Sequence, residues 1–88
     1  MIGKYVKRPV VIEAVQWTGD NTDEVKNFVG ADAEYLEDEK AILIHTLEGN
    51  MVANVKDFII KGVKGEFYPC QYDIFCETYE AVAMNPNF

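Results

Sequence analysis

Four strand-like runs follow one another with almost nothing between them: Ala41 to Leu47, Met51 to Val55, Phe58 to Val63 and Glu66 to Tyr68. The breaks are Glu48-Gly49-Asn50, Lys56-Asp57 and Lys64-Gly65, two or three residues each. A parallel pair needs a crossover of a dozen residues or more, so neighbours joined this tightly pair antiparallel. Gly49 or Asn50 supplies the positive φ that a hairpin turn demands.

The flanks add the helices. Val10 to Trp17 is rich in β-branched residues, and Pro9 stands at its start, where a missing N–H does least harm. Val10, Ile12 and Ala14 share one face of that strand; Val11, Glu13, Val15 and Trp17 share the other. Apolar residues on both faces predict a central strand covered on both sides. Thr18-Gly19-Asp20-Asn21 breaks it. Asn21 with Glu24 reads as a capping box for a helix over Thr22 to Val29. Val25, Phe28 and Val29 form its buried stripe, and Gly30 ends it. Ala33 to Leu36 reads as a short strand and Glu37 to Lys40 as a charged turn. Pro69 ends the last strand, and Asp73 caps a second helix over Ile74 to Val82. The expected class is α+β: a small antiparallel sheet of about five strands with two helices, in the order β-α-β-β-β-β-α. With no repeat, linker or low-complexity stretch, residues 1–83 read as one domain and 84–88, around Pro86, as a flexible tail.

Charge and length narrow the function classes. A chain of 88 residues buries only about 60–65% of its unfolded surface, so self-association would help it. The net charge of −7 argues against direct nucleic-acid binding, which needs a basic surface. It suits solubility, a basic partner or mimicry of nucleic acid. The N-terminus carries no long apolar core or small-residue cleavage site, and no apolar run approaches a membrane span. The expectation is a cytoplasmic protein that does not engage a membrane.

The residues that carry chemistry are few. Cys70 and Cys76 stand in a C-x₅-C spacing that fits no common zinc or redox pattern, and His45 is the lone histidine. No metal, cofactor or catalytic residue is expected from them. His45 shares a strand face with Leu43 and Leu47, opposite Thr46, so the adjacent hydroxyl is out of its reach. Lys61-Gly62-Val63-Lys64-Gly65 offers two lysines and flexible backbone N–H groups to an anion, but a strand follows it rather than a helix N-terminus. Aromatics crowd the last third of the chain: Phe67, Tyr68, Tyr72, Phe75 and Tyr79. Eleven of them are too many to bury completely in so short a chain, leaving some for an interface. Five acidic residues fall between Asp32 and Glu39, while Lys4, Lys7 and Arg8 make a basic arm.

The stretch Lys7-Arg8-Pro9-Val10-Val11-Ile12-Glu13-Ala14-Val15-Gln16-Trp17-Thr18-Gly19-Asp20-Asn21 resembles the N-terminus of small proteins encoded by phages and prophages of Gram-positive bacteria. Ile44 to Gly49, Phe58 to Cys70, and Ile74-Phe75 with Tyr79 continue the resemblance along nearly the whole chain. Related proteins carry a Pro-Gly-Asp-Tyr-Gly type of domain. Here the corresponding place reads Val55-Lys56-Asp57-Phe58, keeping the acid and an aromatic but not the Pro-Gly turn. The resemblance implies a bacterial host cytoplasm as the setting, and no activity, cofactor or catalytic residue. Taken together, the expectation is a non-catalytic accessory protein that binds a host or phage protein and forms a homo-oligomer. Trp17, Tyr68 and Tyr72 would anchor that partner, with Asp57 and Glu66 as polar neighbours. The alternative is a binder of a nucleotide-like or anionic small molecule, with Trp17 stacking and Lys61 and Lys64 meeting the charge. An enzyme built on His45 and Glu48 ranks last.

Overall fold

The tight turns do produce antiparallel hairpins, but they divide the strands between two sheets. A computed structural model describes residues 1–82. In chain order the elements are β1 (Glu13–Gln16), α1 (Thr22–Val29), β2 (Ala33–Leu36), β3 (Ala41–Thr46), β4 (Gly49–Ala53), β5 (Phe58–Lys61), β6 (Phe67–Cys70) and α2 (Tyr72–Thr78). One sheet has the order β1-β5-β6 and the other β2-β3-β4, all neighbours antiparallel. The expected single sheet of about five strands is therefore six strands in two sheets. The expected tail, 84–88, lies outside the described residues.

The division happens between β4 and β5. The Asp57 N–H donates to the Asn54 carbonyl, closing a turn, and Lys56 takes φ 86°. Trp17 then faces two residues at once: its N–H donates to the Asp57 carbonyl (2.9 Å), and its carbonyl accepts from the Lys56 N–H (2.7 Å). That is a bulge, and it turns β5 away from β4 and onto β1. Lys56 occupies the left-handed position that glycine usually fills.

β1 corrects a second expectation. It is an edge strand of four residues, not a central strand from Val10 to Trp17. Among the described residues its sole partner, β5, ends at Lys61 opposite Glu13. Residues 10–12 run past the end of the sheet and have no ladder to join.

Alternation decides what each sheet buries. In the second sheet Ile42 and Ile44 of β3 point inward, with Ala33 and Ala53 on the neighbouring strands. In the first, Ile59 and Val15 point the same way with Trp17. Val25 and Val29 of α1 close this shared core as their spacing predicts, with Phe28 and Phe67 packed edge to face at its margin (5.4 Å). The opposite face of the first sheet, Ala14, Ile60 and Phe58, lies under α2, where Phe75 stacks on Phe58 with ring centroids 3.8 Å apart. Ile60 is thereby buried too.

Both helices are capped differently from expectation, although α1 spans Thr22–Val29 as read. Asn21 makes no side-chain cap. Its carboxamide instead ties the strand break together: Nδ2 donates to the Gln16 carbonyl and to Glu24 Oε1, and Oδ1 accepts from the Thr18 N–H and hydroxyl. Local side-chain bonding of this kind competes with capping. The second helix begins at Tyr72 rather than Ile74 and stops at Thr78, with Gln71 at its cap position; the Asp73 carboxylate accepts from the Ile74 N–H and makes no cap. Pro69, expected to end the last strand, lies inside β6. The Gly62 N–H donates to Glu66, so β5 pairs with even-numbered residues of β6, and Pro69 turns its missing N–H outward. Among the described residues no helix is long and apolar enough to cross a membrane.

Candidate functional site

Where the two sheets diverge, a groove of about 810 Å³ opens. The β3–β4 hairpin forms one wall with His45, Thr46, Leu47, Glu48 and Met51, and Asp32 beside it; Lys64 to Pro69 form the other. Each wall follows from a turn. Leu47 and Glu48 sit at the tip of a hairpin whose Gly49 takes φ 115°, and the Thr46 hydroxyl holds that tip by donating to the Gly49 carbonyl. Leu47 is fully in solvent and Met51 is partly exposed. Across the groove, the Gly62–Gly65 turn presents Lys64 and Glu66. The lining combines the apolar residues Leu47, Met51, Phe67 and Pro69 with three acidic residues, Asp32, Glu48 and Glu66, and one lysine, Lys64.

His45 stands on the solvent face of β3. Its Nδ1 lies 2.9 Å from Asn50 Oδ1, directly across the ladder, and its Nε2 lies 3.5 Å from Glu34 Oε1. The carboxylate beside it is therefore Glu34, not Glu48, and the Thr46 hydroxyl is spent on Gly49. Among the described residues no three His, Cys, Asp or Glu side chains gather as a metal site would require.

The residues singled out from the sequence scatter. Lys64, Glu66 and Tyr68 border the groove, the Tyr68 hydroxyl itself contacting Tyr79. Trp17 does not: it is 0% exposed, packs edge to face on Tyr35 at 5.8 Å and donates Nε1–H to the Lys40 carbonyl at 2.9 Å. The expected surface anchor is a core residue, because a full-sized indole at the seam of two sheets fills space that nothing else in so small a chain can fill. Asp57 belongs to the bulge, where its carboxylate accepts the Asn54 N–H at 2.9 Å. Lys61 is exposed at the end of β5 opposite Glu13. Tyr72 is half exposed on α2, its ring 6.3 Å from Phe58. The glycine loop is a poor anion cradle: the Gly62 N–H donates to the Glu66 carbonyl and the Gly65 N–H to the Gly62 carbonyl.

Two ionisable groups on β6 are shifted. Burial raises the Tyr68 hydroxyl above the usual tyrosine range, helped by its hydrogen bond and charge contact with Tyr79. Burial also raises the Cys70 thiol, with Asp57 and Asp73 adding to it. On α2, the Cys76 thiol is hydrogen-bonded to the Tyr72 hydroxyl and raises it. Both cysteines are free thiols.

Leu47 and Met51 were missed in the sequence because each sits in an apolar, strand-like run that reads as core. Their places, Leu47 at a hairpin tip and Met51 in the middle of the edge strand β4, leave them exposed to solvent. The chain matches no family model, no curated protein and no solved structure with which it was compared.

Proposed function

We propose that this protein is a non-catalytic binding module, a phage or prophage accessory protein acting in the host cytoplasm. Its groove receives an extended segment of a host or phage protein that carries apolar and basic side chains. One observation carries this reading: an open groove whose lining joins Leu47, Met51, Phe67 and Pro69 to three acidic residues and a single lysine. Apolar area supplies affinity there, and the rim charge selects sign and speeds encounter. The consumed glycine N–H groups and the buried Trp17 both weigh against the small-molecule alternative.

The test is a titration of ¹⁵N-labelled protein with two extended twelve-residue peptides, one alternating Leu with Lys and one alternating Leu with Glu. The basic peptide is expected to shift the amides of His45, Leu47, Met51 and Glu66, and the acidic peptide to leave them still. The double variant Asp32→Lys, Glu66→Lys should reverse the preference. Equal response to both peptides, or none to either, rejects the reading.

A further inference from the structure

The strand signal from Val10 to Trp17 is longer than the strand the fold uses. Only Glu13 to Gln16 pair, because β5 ends opposite Glu13. Val10 is 49% and Val11 78% exposed, and among the described residues no backbone group of residues 1–12 hydrogen-bonds to another backbone group. A β-branched, apolar extension of an edge strand is a template for another strand. The far edge of the same sheet is blunted by Pro69; the β1 edge has no such guard.

We propose that the β1 edge is where two copies of this chain join, residues 6–14 of each pairing antiparallel about a twofold axis centred on Val10.

The backbone sets that register. The Trp17 N–H points to β5, so by alternation Val15 and Glu13 do too, and Ala14 and Gln16 face outward. The Gln16 carbonyl is already occupied by the Asn21 carboxamide. Among the described residues the free outward groups are those of Ala14 and of Ile12, Val10, Arg8 and Val6 beyond it. Pairing them about Val10 matches Ala14 with Val6 and Ile12 with Arg8 of the second copy. Pro9 falls on the inward side, where no ladder asks for its N–H. Charge agrees: this register sets Lys7 opposite Glu13 of the second copy, twice. All fifteen acidic residues lie beyond position 8, whereas the first eight residues carry three basic ones. An arm of this sign meets a body of the other. On forming the ribbon, Lys7 leaves the face of Tyr79, 5.5 Å from its ring centroid, for Glu13. The apolar hollow of about 560 Å³ between residues 9–12 and α2 then lies beside Val6 of the second copy.

The pairing is separate from the groove, so each can fail alone. The experiment is sedimentation equilibrium of the full chain from 1 to 100 μM, with folding checked by circular dichroism. Wild type is expected at twice the 10.0 kDa chain mass. Ile12→Pro, which removes an outward donor, should give the monomer mass, and Val11→Pro, whose N–H faces inward, should remain dimeric. Lys7→Glu and Glu13→Lys should each weaken association at least tenfold, and the double exchange should restore it. A monomeric wild type, equal behaviour of the two proline variants, or no rescue by the double exchange overturns the proposal.

Discussion

Trp17 is the largest fully buried side chain among the described residues. It spans the seam between the sheets, and its Nε1–H satisfies the Lys40 carbonyl. Trp17→Phe keeps an aromatic there but leaves that acceptor unpaired and a cavity behind, at a cost of about 1–3 kcal/mol. Urea titration reads it as a lower midpoint with an unchanged slope. Lys56 stores strain of the opposite sense. At φ 86° a side chain costs about 1–2 kcal/mol, part of which glycine returns as unfolded-state entropy. Lys56→Gly should therefore stabilise by roughly 0.5–1 kcal/mol, read in the same titration. The raised groups on β6 set an alkaline limit. The fold favours neutral Cys70 and Tyr68, so their contribution is whole below pH 9.0 and fades as pH climbs through each folded value. Melting temperature should hold to pH 9.0, then fall, and fall more steeply beyond 10.0. Cys70→Ala should remove the first part of that decline alone.

The two helices are unequal elements. α1 buries Val25 and Val29 in the shared core, whereas α2 has seven residues, no side-chain cap and no fully buried residue. Its hold on the sheet is aromatic, through Phe75 on Phe58 and Tyr79 beyond it. Elements with little buried area open at low free energy. Hydrogen exchange should therefore label α2 well before α1, and Phe75→Ala should speed exchange in α2 while leaving α1 protected. Equal protection of the two helices would show that α2 is held by more than its aromatic face.

At the scale of the whole molecule, two three-stranded sheets share one core. Neither has enough inward surface to stand alone: the first offers chiefly Val15 and Ile59, the second Ile42, Ile44 and two alanines. A three-stranded sheet needs an apolar face packed against something to persist. Unfolding should therefore be a single transition, with Trp17 fluorescence and far-ultraviolet circular dichroism coincident in urea. Separate midpoints would mean that the sheets fold as independent units.

Local pattern determined a good deal here. The helix over Thr22 to Val29, the stop at Gly30, the strand over Ala33 to Leu36 and the hairpin at Gly49 were all legible, because turn chemistry and side-chain period act over a few residues. Lys64, Glu66 and Tyr68, singled out in the sequence for different roles, border one groove because they share a turn and the strand after it. The partition into two sheets was not legible. It depends on Lys56 adopting a conformation that its side chain disfavours, and on β1 returning from far along the chain to pair with β5. The fate of Trp17 was hidden for the same reason. Composition shows that aromatics are in surplus but not which of them the core will claim, and only the meeting of the two sheets decided that an indole fills the seam. The groove, whose walls come from hairpins in different sheets, exists because those sheets diverge.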